Sequence, residues 1–169
     1  MRVAWDLRLF SLGYAGRGIG VYTQAVASAI LASPRRPEIV VIGNRESVGR
    51  YLPPADIDII ECSPGGWRRD LLRLPGLLRG RRIDILHYWV ALGPLHRLGM
   101  SAIPPCPVCA TVYDLGVDLW HEAPFLRAVR RSWYWRVQKF LARRLAGALC
   151  ISEATRTDFA RLLDRKSVV

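Results

Sequence analysis

Four stretches of the chain carry residue types that can do chemistry. The first is Gly13-Tyr14-Ala15-Gly16-Arg17-Gly18-Ile19-Gly20. Glycines let a backbone approach a ligand closely, and free N–H groups at the start of a helix favour phosphate. The spacing is not that of a dinucleotide fingerprint, and Asn44, not an acidic residue, follows the second predicted strand. A flexible surface loop is the plainer alternative. The second stretch is Asp84-Ile85-Leu86-His87-Tyr88-Trp89. A histidine at the end of a buried strand can hydrogen-bond a sugar hydroxyl or move a proton. A lone strand-end histidine is also a common structural group.

The third stretch is Thr111-Val112-Tyr113-Asp114-Leu115, followed by Asp118, Trp120, His121 and Glu122. Asp114, at a strand tip, can accept sugar hydroxyls or orient a base; a turn or helix cap is the alternative role. Asp118, His121 and Glu122 lie in one short loop with no partner segment, so the sequence predicts no metal site. The fourth stretch is Ser152-Glu153-Ala154-Thr155, in which Ser152 suits a helix N-cap. Cys106-Pro-Val-Cys109 has the spacing of a redox pair, but it leads into a strand and not a helix. A stabilised thiolate is therefore not expected, and Cys109 reads as a core residue.

These stretches need elements to position them. Short apolar runs alternate with longer helical patterns, which predicts strands at Arg2–Asp6, Glu38–Gly43, Ile57–Glu61, Ile83–His87, Val108–Tyr113 and Ala148–Ile151. The predicted helices are Ile19–Ala32, Trp67–Leu78, Pro124–Leu145 and Glu153–Leu163. Most strands are continuous apolar runs, as in a parallel sheet with helices on both faces. The fold class is therefore α/β, Rossmann-like, and residues 1–169 suit one compact domain. Ligands in such a sheet bind beyond the carboxyl ends of the strands, where all four stretches lie.

Half of the 169 residues are apolar, and the net charge is +11, carried almost wholly by arginine. That surplus favours polyanions, but the arginines are scattered over several helices without a nucleic-acid recognition motif, so no specific nucleic-acid partner is expected. No apolar run approaches the ~20 residues that span a bilayer, and the N-terminus reads as a strand and not a leader. The expectation is a cytoplasmic protein.

In their order along the chain, the four stretches resemble the N-terminal domain of the GT-B retaining glycosyltransferases of family 4. The carriers are Gly16-Arg17-Gly18-Ile19-Gly20-Val21-Tyr22, the Asp84–His87 strand end, Thr111–Leu115 with Pro124 beyond, and Ser152–Thr155. The resemblance implies that Gly18, Ile19 and Gly20 approach the diphosphate or sugar of a nucleotide-diphosphate sugar donor. His87 and Asp114 are the implied catalytic positions, with Arg17 and Tyr113 on the acceptor side. Tyr113 stands where many members carry histidine. Ser152 and Glu153 are implied to be chiefly structural.

The implied reaction transfers a sugar to a glycan or lipid-linked acceptor of a cell-envelope polysaccharide pathway, with no cofactor and no bound metal. The C-terminal donor-binding domain of the family is not expected within these residues, so the chain is expected to be inactive alone. A non-catalytic carbohydrate- or lipid-phosphate-binding module, or one half of a split enzyme, is the alternative.

The predicted helix from Pro124 places Leu126, Val129, Trp133, Val137, Phe140 and Leu141 on a core stripe, with Trp135 opposite among Arg131, Lys139 and Arg143. An outward tryptophan among cations suits an anionic headgroup region, which would put the chain at the inner face of the plasma membrane. Packing against the second domain is the competing account.

Overall fold

A computed structural model describes residues 1–62, 67–89, 104–113 and 133–163; for 67–71, 133–135, 137 and 138 it describes the backbone alone. Six described strands are present, and every pairing between them given below is parallel. They are β1 (Arg2–Asp6), β2 (Glu38–Gly43), β3 (Asp58–Glu61), β4 (Ile85–Tyr88), β5 (Val108–Val112) and β6 (Gly147–Cys150). The described helices are α1 (Gly18–Ala32), α2 (Arg45–Tyr51), α3 (Trp67–Gly80), α4 (Trp133–Ala142) and α5 (Glu153–Leu163). The expected parallel α/β class is observed, and the element borders fall within two residues of expectation except for the predicted helix from Pro124. That helix is described from Trp133 to Ala142, and residues 124–132 lie outside the described residues.

The described residues fall into two compact units. Those of Met1–Trp89 and Ala102–Pro107 form the first, and those of Val108–Val169 belong to the second. In the first unit the strand order is β3-β2-β1-β4. Trp5 lies beside Val41 on one side and His87 on the other, and Asp6 beside Ile42 and Tyr88. The chain leaves β1 in one direction to β2 and returns on its other side as β4. The order therefore reverses about β1, which is where an open α/β sheet leaves a crevice at its carboxyl edge.

Burial explains the strand patterns. Val40, Val41 and Ile42 on β2, Ala4 on β1 and Leu86 on β4 are fully enclosed, as continuous apolar runs in a parallel sheet lead one to expect. Each valine, isoleucine or leucine among them contributes roughly 1.5–3 kcal/mol of burial. β3 pairs with β2 alone among the described strands, and it is less covered than they are, with Asp58 and Glu61 exposed, Ile59 half-buried and Ile60 buried. At the opposite end of the strands, Arg2 ties β1, β2 and β4 together. Its N–H donates to Asp84 at 2.7 Å, and its guanidinium donates to the Arg81 carbonyl at 2.6 Å and to Glu38.

The helix α2 was not anticipated. Asn44 caps it by accepting from the Ser47 N–H at 3.0 Å, and Glu61 at the end of β3 accepts from both the Asn44 amide and the Arg45 N–H. Asn44 thus does helix capping at the position where a ribose-binding acid was sought. An Asn followed by Arg-Glu-Ser is a readable cap, but seven residues are too few to show clear apolar periodicity.

In the second unit β5 pairs with β6, Cys109 beside Gly147 and Val112 beside Cys150. Ala142 and Leu145 at the end of α4 are buried, as are Thr155, Phe159 and Leu163 along α5. Phe140, expected on the core stripe, is instead 46% exposed. No helix among the described residues is long and apolar enough to cross a membrane.

Candidate functional site

The glycine loop is built from β1 outward. The Leu7 N–H extends the β1 ladder by donating to the Ile42 carbonyl at 2.9 Å. A single 3-10 helical segment, Arg8–Leu12, follows and ends at Gly13, whose φ of 77° is a left-handed conformation open to glycine at little steric cost. The chain then turns so that the Arg17 N–H donates to the Tyr14 carbonyl at 3.0 Å, and α1 begins.

Two of the three glycine-loop positions do different work. A β-carbon on Gly20 would lie 2.2 Å from the Tyr14 carbonyl oxygen and 2.4 Å from the Ala15 backbone, which no real structure tolerates. The bare Gly20 is what lets the loop lie against the first turn of α1. The Gln24 side-chain amide reinforces that contact by donating to the Ala15 carbonyl at 2.7 Å. The loop is therefore pinned to its helix, and the alternative of a free surface loop does not describe it. Around Gly18, by contrast, a β-carbon would meet nothing within 4 Å, and this residue is exposed.

Helix α1 starts with no side-chain cap and no acidic residue in its first turn. Its capping residue, Arg17, lays its guanidinium over the Tyr14 ring, 5.1 Å from the centroid. The first N–H groups of a helix lack intrahelical acceptors and carry partial positive charge. At Gly18, Ile19 and Gly20 that charge is met by no carboxylate of the first turn.

Beside this loop, the carboxyl ends of β1 and β4 hold a buried polar cluster that the sequence reading did not single out. Asp6 is 8% exposed and Arg8 is enclosed with it. The guanidinium grips both carboxylate oxygens, Nε to Oδ1 at 2.8 Å and Nη2 to Oδ2 at 2.5 Å, and the Arg8 N–H also donates to Oδ1 at 3.2 Å. Burial alone would lower the Arg8 pKa; the Asp6 charge and hydrogen bonds outweigh it and raise the pKa, so the guanidinium stays charged. An Asp two residues before an Arg at a strand end was the available signal. Only the fold shows that Asp6 is buried and that Arg8 is largely covered beside it.

His87 sits one residue short of that rim, on β4 beside Trp5. It is buried, and its ring lies 4.6 Å from that of Trp89, which in turn meets Trp5 edge-on at 5.6 Å. Burial pushes the imidazole down to about 4, so it is neutral near pH 7. A neutral imidazole can donate one hydrogen bond and accept another but cannot serve as a charged acid. The Trp89 indole N–H is buried without a hydrogen-bond partner among the described residues.

In the second unit the Ser152–Thr155 segment is a closed hydrogen-bond network. Ser152 Oγ accepts from the Thr155 N–H at 3.1 Å, the two hydroxyls are 3.0 Å apart, and Thr155 Oγ1 donates to the Tyr113 carbonyl at 3.2 Å. Because the Thr155 proton goes to Tyr113, the Ser152 hydroxyl donates to Thr155. The network caps α5 and fixes it to the end of β5. Glu153 pairs with Arg156 at 2.5 Å, and that hydrogen bond lowers its pKa.

Asp114, like Asp118, Trp120, His121 and Glu122, lies outside the described residues. The cysteines Cys106, Cys109 and Cys150 are free thiols whose pKa burial raises, the reverse of an activated thiolate. No cluster of three or more metal-binding side chains occurs among the described residues.

The family described as Glycosyltransferase Family 4 matches residues 16–169, from the glycine loop to the last residue. No curated protein matches the chain.

Proposed function

From the premise that the chain belongs to glycosyltransferase family 4, we propose that it is the acceptor-side half of a retaining transferase of GT-B architecture. It would act on a nucleotide-diphosphate sugar and pass the sugar to a glycan or lipid-linked acceptor of the cell envelope. The chain would work in the cytoplasm, at the inner face of the plasma membrane where lipid-linked acceptors are held. Transfer would need a second, donor-holding lobe in addition to residues 1–169, because donor and acceptor must be oriented and water excluded from both sides.

One observation carries the reading beyond the family match: α1 opens on an exposed glycine, without a side-chain cap and without an acid in its first turn. An electropositive helix end left without its own carboxylate suits the diphosphate of a sugar nucleotide. The N–H groups of Gly18, Ile19 and Gly20 would bind it and stabilise the charge that grows on the leaving phosphate. His87, neutral and enclosed by tryptophan, would orient a hydroxyl by one hydrogen bond. Arg17 and Tyr113 would face the acceptor, and Asp114 would stand near the reacting hydroxyl. No metal or cofactor is invoked; the leaving group is handled by N–H groups and cationic side chains.

The test is a titration of isotopically labelled chain with a panel of UDP-, GDP- and ADP-linked sugars, read by amide NMR. Shifts centred on Gly18, Ile19 and Gly20 with at least one donor are expected, with no sugar transfer by the chain alone. Undisturbed loop amides throughout the panel would defeat the donor-side reading. Turnover above a no-enzyme control would defeat the requirement for a second lobe.

A further inference from the structure

The face of α4 that looks outward is basic and carries an exposed aromatic ring. Arg136, Phe140, Arg143 and Arg144 are spaced four, three and one residues apart, and all four are exposed. Such spacing puts them on one side of a helix and its continuing turn. The turn does continue: the Arg143 N–H donates to the Lys139 carbonyl at 3.1 Å and the Arg144 N–H to the Leu141 carbonyl at 2.9 Å. Ala142 and Leu145, on the other side, are buried. The Arg144 guanidinium lies over the Phe140 ring at 4.2 Å, so charge and ring present themselves together. From Trp133 to Ser152 the chain has four cations and no acidic residue.

We infer that this face of α4 is a docking surface for an anionic phospholipid bilayer, with Phe140 entering the headgroup boundary and Arg136, Arg143 and Arg144 pairing with lipid phosphates. Charge complementarity selects the occupant. Cations at the end of a helix also complement its dipole, which accounts for Arg143 and Arg144. It does not account for Arg136, about two turns earlier, or for a phenylalanine 46% exposed among them. A solvated face with no partner would carry mixed charges, as α2 and α5 do with Arg50–Glu46 and Arg156–Glu153. The surface differs from the one expected around Trp135, whose side chain lies outside the described residues. The inference deepens the proposed inner-membrane location and is independent of sugar binding.

Vesicle co-sedimentation of the full 169-residue chain, without any sugar nucleotide, tests it and leaves the donor reading to the separate amide titration. The vesicles are phosphatidylcholine alone, or phosphatidylcholine and phosphatidylglycerol in equal parts. Binding to the anionic vesicles alone is expected. Arg136→Glu/Arg143→Glu should weaken it roughly tenfold or more, given the contribution of each basic residue near an anionic surface. Arg73→Glu/Arg79→Glu, the same charge change on exposed positions of α3, should leave it within about threefold. Phe140→Ala should weaken binding roughly tenfold at unchanged net charge, and Phe140→Trp should restore it. Thermal melts confirm that each variant folds. Equal loss in the two double variants would mean that net charge alone binds, and would overturn the inference. So would Phe140→Ala binding as wild type, or equal binding to both kinds of vesicle.

Discussion

Asp6 holds Arg8 by both carboxylate oxygens, and both side chains are enclosed at the carboxyl end of β1. The pair sits where the chain leaves the sheet for the glycine loop, so it fixes the direction of that departure. Its role is positional: it orients the segment that leads to the first turn of α1.

Breaking one side of the pair should be worse than removing both. Asp6→Asn leaves a buried guanidinium without its carboxylate and should destabilise the chain by about 3 kcal/mol or more. Asp6→Leu/Arg8→Met replaces the pair with apolar bulk and should recover most of that loss. Urea denaturation of wild type and the two variants measures both effects; an Asp6→Asn chain as stable as wild type would show that the pair contributes no positional restraint.

The two glycines should separate packing from ligand approach. Gly20→Ala forces a backbone shift and should lower stability by roughly 1–3 kcal/mol. Gly18→Ala, with open space around its β-carbon, should be neutral or slightly stabilising, by up to about 1 kcal/mol, since alanine is the better helix former. Thermal melts give the stabilities. Amide titration with a sugar nucleotide then asks whether Gly18→Ala weakens binding in a chain that is fully folded.

Stability should fall with acid through His87. Its folded pKa of about 4 lies below the ordinary 6.5, because burial disfavours the charged ring. Between those values the unfolded chain binds a proton that the folded chain does not, so stability rises with pH across that window and is lost as pH drops from 6.5 towards 4. At full effect the difference is roughly 3 kcal/mol. Urea midpoints at several pH values should show the slope in wild type and a flatter one in His87→Gln. Identical slopes would place the acid sensitivity elsewhere.

The Ser152–Thr155–Tyr113 network should be worth more than a cap alone. Ser152→Ala removes the cap and should cost about 1 kcal/mol. Thr155→Val removes the donor to the Tyr113 carbonyl as well as the Ser152 contact, and should cost about 1–3 kcal/mol. If the two losses, measured singly and together by denaturation, add without coupling, the hydroxyls do not act as one network.

Much of this was legible in the residues. β1, β2 and α5 were read to their observed ends because continuous apolar runs, Ser152 and the Pro-rich breaks are local signals. In the sequence Asn44 shows only the absence of an acid, and its cap on α2 is not legible because that helix is too short to show a period. Phe140 was placed in the core by helical spacing. Its exposure follows from which side of α4 the unit covers, since Ala142 and Leu145 and not Phe140 meet the interior. By residue type and motif Gly18 and Gly20 are alike.

From the chain alone came the parallel α/β class, the order of its elements and the resemblance to family 4, because caps, breaks and apolar periodicity depend on residues a few positions apart. The tertiary structure decided which glycine is filled by its own loop, which histidine loses its charge, and that Arg8 closes over a buried Asp6. Those outcomes depend on contacts across strands and across the loop–helix junction, where burial and close approach set the energy. Residue type and spacing leave burial and close approach open.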